Sequence, residues 1–180
     1  ALGPARTAPS NANTTTQPET TLTQAHPHSL LIQGAMVLTM DPALGDLAKA
    51  DVLIQGERIA QVGASLAAPP DAQTIDGSGM ILIPGLIDTH THMWQGPLKG
   101  LGAGLWGTPD YQKHVFPMRE RFGAEDMHDA CFAAGTEMLD CGITTVLDFC
   151  HNTMTPAHAQ RSIAGHQKTG QRVLFSYGML

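Results

Sequence analysis

From residue 29 onward the apolar residues fall into short runs separated by glycine, proline and acidic residues. Leu30-Leu31-Ile32 and Met36-Val37-Leu38 flank Gly34 and predict strand material that closes at Asp41-Pro42. Asp51-Val52-Leu53-Ile54-Gln55 and Arg58-Ile59-Ala60-Gln61-Val62 flank Gly56-Glu57, a Gly-X pair suited to a two-residue type II′ hairpin. Gly63 to Pro70 is a connection of small residues. Residues 29–78 therefore predict a small antiparallel β unit without evident chemistry. The pattern changes at Met80. Met80 to Ile87 is apolar without alternation, as in a strand buried on both faces of a helix-covered parallel sheet. Glu125 to Asp140 carries Met127, Cys131, Ala134 and Met138 at helical spacing, with acids in the first turn and Gly142 after the end. Ile143 to Phe149 is a second apolar strand. Thr155-Pro156 supplies an N-cap and first-turn proline for a helix that ends at Lys168 and Gly170, and Arg172 to Tyr177 is a third strand. Strand, helix, strand, helix, strand predicts right-handed βαβ units, an α/β architecture over residues 79–180.

Composition narrows the function classes. The 180 residues are 42% hydrophobic and 14% charged, with a formal charge of −6 and no basic run longer than a scattered pair, which argues against a nucleic-acid or anionic-membrane surface. The longest apolar stretch, Met80 to Ile87, is far too short for a bilayer and contains Pro84 and Gly85. Three cysteines are an odd number, and Cys131 and Cys141 at opposite ends of one helix lie roughly 15 Å apart at 1.5 Å per residue. All three read as buried free thiols. Residues 1–28, rich in Thr, Pro, Ala, Asn and Gln, predict a disordered or extended tail. A tail of this kind often follows a cleaved export signal, which points to a periplasmic or secreted protein with a cytoplasmic one as the alternative.

The chemistry concentrates in Asp88-Thr89-His90-Thr91-His92, which closes the first buried strand. Residues two apart on a strand share a face, so Asp88, His90 and His92 point the same way, and the two imidazoles can converge on one metal ion. They lie at the carboxyl end of a parallel strand, where barrels and open sheets put their active sites. The stretch from Met93 to Gly123 is a long glycine-rich insertion at that same end, containing Trp94 and Trp106. Trp94 is placed to touch a planar substrate, and Trp106 to pack the loop. Thr108-Pro109 begins a short helix interrupted near Pro117. His151, after the second strand, is either a pocket wall that touches substrate or a structural loop residue. His114, His128, His158 and His166 fall on helices and read as solvated positions.

Ile83-Pro84-Gly85-Leu86-Ile87-Asp88-Thr89-His90-Thr91-His92 resembles the first-strand metal motif of the amidohydrolase superfamily. The similarity runs from about Ser29 to the end and includes the Gly56-Glu57-Arg58-Ile59 hairpin with Val62-Gly63. Trp94-Gln95, Leu98-Lys99-Gly100-Leu101, Thr144-Thr145-Val146-Leu147-Asp148 and His151-Asn152 are similar to the branch holding triazine hydrolases, adenosylhomocysteine deaminases and cytosine/guanine deaminase-like enzymes. The resemblance implies the N-terminal part of a metal-dependent (β/α)8 TIM barrel preceded by a small β-sandwich segment. It assigns His90 and His92 to the metal and Asp88 to a supporting role, with a plain structural cap as the other reading of Asp88; Trp94, Gln95 and His151 are the candidate substrate contacts. The implied ion is divalent, zinc first and iron second. It makes the bound water a hydroxide near neutral pH, which attacks a carbon–nitrogen bond of a small cyclic or heteroaromatic substrate.

A barrel needs eight strands, and three are present. The family's later metal ligands and acid–base residues have no counterpart in the chain, so the catalytic residues are unassigned and the isolated chain is expected to be inactive. The implied partners are the remainder of the barrel or a second polypeptide, a small-molecule substrate, and a further copy of the chain in a homo-oligomer. A dihydropyrimidinase/dihydroorotase-type cyclic amide hydrolase and a non-catalytic metal-binding fragment are the alternatives.

Overall fold

The computed structural model describes residues 29–101, 104 and 107–178. The expected tail over residues 1–28 and the packing role of Trp106 lie outside the described residues. The chain divides into two compact units, residues 29–37 with 48–81 and residues 38–47 with 82–178.

The first unit is built on one five-stranded sheet. Strands β1 (Ser29–Leu38), β2 (Asp46–Gln55), β3 (Arg58–Gly63) and β4 (Gln73–Asp76) run in the order β3-β2-β1-β4, and β5 (Ile81–Leu82) also pairs with β1. The β2–β3 hairpin is antiparallel and turns through Gly56 at φ 58°, the left-handed first position that a Gly-X turn requires. An all-antiparallel unit is not what forms, because β4 pairs with β1 in parallel. Leu31, Ala35 and Val37 from β1 and Ala50, Val52 and Leu53 from β2 are buried. Asp51, 6% exposed among them, is satisfied by the amides of Gly34 and Leu66 at 2.8 and 2.9 Å. It is therefore a structural acid.

The second unit carries β6 (Leu86–Thr91), β7 (Ile143–Cys150) and β8 (Arg172–Tyr177) as a parallel sheet in sequence order. Helix α1 (Thr108–His114) and two short 3-10 segments, Met93–Leu98 and Phe116–Arg121, fill the insertion. Helices α2 (Ala124–Asp140) and α3 (Pro156–Thr169) make the two crossovers. The expected single strand from Met80 to Ile87 is split: Ile81–Leu82 stays with the first sheet, and pairing resumes only at Leu86. Pro84 has no amide to donate. Gly85 lies so close to β7 that a Cβ there would sit 2.1 Å from Thr144 Oγ1. Nor is β6 buried on both faces, since Leu86 and Ile87 are 49% and 68% exposed. Burial alternates along β7, with Val146, Asp148 and Cys150 covered and their neighbours only partly so. The helices thus cover one face of this sheet.

Helix α2 starts where Asp126 accepts a hydrogen bond from Gly123 N at 2.8 Å, and α3 starts at Thr155 with Pro156 in its first turn and stops at Gly170, φ 74°. The two helices approach through glycine: a Cβ on Gly165 would lie 2.4 Å from the His128 carbonyl oxygen, a backbone atom. In an open helix Gly→Ala stabilises by up to about 1 kcal/mol. In this contact Gly165→Ala is expected to destabilise by about 1–3 kcal/mol, because the helices must separate. A chemical-denaturation midpoint checks this.

Among the described residues no helix is long and apolar enough to cross a membrane. Cys131 and Cys150 are buried free thiols, but Cys141 is exposed, because it falls just past the last turn of α2. Burial, followed by the charge of Asp148, pushes the Cys150 thiol up to about 11 and raises Cys131 further. Since the thiolate is the reactive form, iodoacetamide at pH 8 is expected to modify Cys141 alone in the folded chain and all three in denaturant. Peptide mass mapping reads the outcome.

Candidate metal centre

β6 carries His90 to the carboxyl end of the sheet. The strand stops at Thr91, and the chain turns straight into the 3-10 segment, with His92 at its N-cap position, φ −125° and ψ 82°. The two imidazoles meet edge to face, with ring centres 4.9 Å apart. His90 is exposed and stacks on Phe149 at 5.8 Å, whereas His92 is half-buried between Phe149 and His151.

One contact decides the chemistry of His92. Its Nδ1 lies 2.7 Å from the carbonyl oxygen of Phe149, at the end of β7. A carbonyl only accepts, so Nδ1 carries a proton, and in the neutral ring Nε2 keeps its lone pair. A main-chain carbonyl holding one ring nitrogen while the other binds is a familiar support of metal-ligating histidine. Asp88 does something else: its Oδ1 accepts the His90 amide at 2.9 Å, tightening the strand end and touching neither imidazole.

His151 closes the site from behind. Its ring is 4.3 Å from that of His92 and 5.5 Å from Trp94, and it is 4% exposed. Burial, then the neighbouring His92 and Arg119, lower its pKa to about 4, so it is a neutral imidazole at physiological pH. Its Nδ1 is buried with no hydrogen-bond partner among the described residues, and its Nε2 is 3.5 Å from the Tyr111 hydroxyl. That hydroxyl accepts a 2.6 Å hydrogen bond from Gln95 Nε2. Gln95, Tyr111 and His151 thus form a polar chain from the 3-10 segment through α1 to the end of β7.

Trp94, expected at the substrate, turns into the core of the second unit. It is fully buried and packs against Met127, Cys150, Leu98, Phe122 and Phe175. The same-face rule that carried it alongside His92 applies to a strand, and the chain leaves the strand at Thr91. Two helix histidines are also not solvated. His166, 4% exposed, bonds through Nε2 to Asp148 Oδ2 at 2.8 Å. His158, half-buried, donates to the Phe122 carbonyl at 2.9 Å. His128 is only partly exposed and pairs with Asp129 at 2.7 Å, while His114 is exposed as expected. Tyr111, Arg119 and Asp148 are the site neighbours that sequence reading missed. Tyr111 and Arg119 stand in the insertion without periodic signal, and the contacts of Asp148 are long-range.

The donor set suits a divalent ion. Two imidazoles bound to one tetrahedral zinc have ring centres about 5 Å apart, given Zn–N bonds of about 2.0–2.1 Å. His90 and His92 have that spacing, and His92 has its Nε2 free. Among the described residues, the cluster of three metal-ligating groups is elsewhere: Cys131, Asp148 and His166, all buried, with donor atoms within 4.8 Å of one another.

Comparison with known proteins gives the family and the fold likeness. Residues 81–180 match the model of the amidohydrolase family. A 5′-deoxyadenosine deaminase of Methanosarcina mazei is 30% identical over 151 residues, covering 84% of this chain and 33% of that protein. Among solved structures, a variant of the atrazine chlorohydrolase of Arthrobacter aurescens, complexed with zinc and atraton, superposes with a TM-score of 0.71 at 29% identity, over 81% of this chain and 35% of the other. An adenosine deaminase of Xanthomonas campestris with bound zinc gives 0.67 at 25% identity, over 81% and 33%. The chain spans about a third of the length of the relatives it matches.

Proposed function

The chain belongs to the amidohydrolase family, and from that premise we propose that it carries the first metal ligands of a hydrolase acting on a carbon–nitrogen bond of a small cyclic or heteroaromatic substrate. His90 and His92 hold a divalent ion, zinc in the first instance. The observation that carries this is the Phe149 carbonyl on His92 Nδ1, which in the neutral ring turns the Nε2 lone pair to the side of a ligand, beside His90. When bound, such an ion acts as a Lewis acid and lowers the pKa of its water to about 7. The chain's own residues do the rest. Phe149 fixes the tautomer of His92, Asp88 fixes the His90 backbone, and His151 supplies a neutral imidazole wall tied to Tyr111 and Gln95. The deaminase relatives support amine hydrolysis on a nitrogen heterocycle as the reaction class. In this reading β6–α2–β7–α3–β8 opens a (β/α)8 barrel, and the five-stranded sheet is one layer of the small β-sandwich that precedes it.

Zinc titration of the chain, followed by nitrogen NMR of the histidine rings, tests the metal assignment. The Nε2 signals of His90 and His92 are expected to shift together and saturate at one ion per chain, with those of His158 unchanged. Binding without movement of both signals would overturn it. In a polypeptide of the relatives' full length, zinc-dependent ammonia release from an aminopurine nucleoside is the expected catalytic signature.

A further inference from the structure

Two consecutive residues of β7 grip two consecutive residues at the end of the metal strand. The carbonyl of Phe149 takes the His92 ring at 2.7 Å, and the carboxylate of Asp148 takes the Met93 amide at 3.0 Å through Oδ1. Asp148 is 0% exposed, and its second oxygen is held by His166 Nε2 at 2.8 Å, from α3. We propose that Asp148, braced by His166, is the positioning residue of the metal centre: it locks the turn between strand and 3-10 segment that aims His92 at the ion. This rests on the assignment of His90 and His92 as metal ligands.

The physics favours a clamp. The Met93 amide begins a 3-10 segment, so it has no partner within that segment, and it is buried; leaving it unpaired would cost about 1–3 kcal/mol. A carboxylate that accepts from a backbone N–H and from an imidazole is anchored at both oxygens and cannot swing. The turn is therefore tied to both β7 and α3.

The same acid belongs to the Cys131–Asp148–His166 cluster, so a second metal site there is the competing explanation. The geometry speaks against it. The 2.8 Å Asp148–His166 contact is a hydrogen bond that uses the Nε2 lone-pair direction for a proton. Among the described residues, His166 Nδ1 has no hydrogen-bond partner.

Zinc affinity, zinc stoichiometry and hydrogen exchange of the Met93 amide, measured on the wild-type chain and four variants, decide the matter. Asp148→Ala is expected to raise the zinc Kd by about 10–100-fold and to speed Met93 exchange at least about 10-fold, with one ion per chain throughout. Asp148→Asn keeps an oxygen on the Met93 amide and can donate to His166 in its other tautomer, so it should stay within about threefold of wild type in both readouts. His166→Gln, which leaves Met93 and both ligands untouched, should show an intermediate loss, and it serves if Asp148→Ala does not fold. Val146→Ala, at the neighbouring buried position of β7, should lower stability and leave the Kd unchanged. An unchanged Kd in Asp148→Ala and His166→Gln, a loss matched by Val146→Ala, or a second ion that disappears with Asp148→Ala overturns the clamp while the His90–His92 assignment stands. A wild-type chain that binds no zinc removes both.

Discussion

His92→Ala is expected to weaken zinc binding by at least about 100-fold, more than the loss of a supporting partner, while leaving the fold nearly intact. The asymmetry follows from where the residue sits. His92 is half-buried at the end of its strand, and among the described residues its ring makes one hydrogen bond, to the Phe149 carbonyl. Losing a single hydrogen bond at such a site costs about 1 kcal/mol, and the acceptor it leaves can turn to water. Losing the imidazole removes a metal ligand outright. His90→Ala should lower affinity to a similar degree with even less effect on stability, since His90 is exposed and held mainly by its stacking on Phe149. Competition against a chromogenic chelator measures the Kd, and thermal melting in the absence of metal measures the fold. A wild-type Kd in His92→Ala would remove the metal assignment.

What could be read from the sequence, and what could not, divides along a physical line. Strands β7 and β8 and helices α2 and α3 are legible because they carry their own local signals: apolar runs, an N-cap threonine followed by proline, a left-handed glycine at the stop. The His90–His92 pair is legible for the same reason, being local and next to a strand end. β4 is not, because all four residues from Gln73 to Asp76 are exposed and show no apolar pattern. The buried face of α3 is not, because it is made of Ser162, Gly165 and His166, whereas Ile163 is 39% exposed. A hydrophobic reading turns that helix the wrong way and sends His166 into solvent. Asp148 and Tyr111 draw their roles from partners 16 to 55 residues away, which no spacing within one element encodes.

The second large effect belongs to Trp94. Trp94→Ala is expected to destabilise the chain by about 3–5 kcal/mol, the range for emptying a buried aromatic site. The ring is fully buried under Phe122, at 5.2 Å edge to face, and against Met127, Cys150, Leu98 and Phe175, so the 3-10 segment after the metal strand has its main apolar anchor there. With domain stabilities commonly about 5–15 kcal/mol, that is a large share of the whole. Trp94→Phe should cost far less, about 1–2 kcal/mol, for a reason visible in the site: among the described residues the indole Nε1 has no hydrogen-bond partner, so removing it strands no acceptor there. Urea denaturation of the two variants separates these costs. Zinc affinity in Trp94→Phe should stay within about threefold of wild type, because the tautomer of His92 is set by Phe149 and the turn by Asp148, neither of which the indole touches through a polar atom. If instead Trp94→Phe folds well and loses zinc, the ring orients the ligands directly, and Phe149 and Asp148 share with it the work of aiming His92.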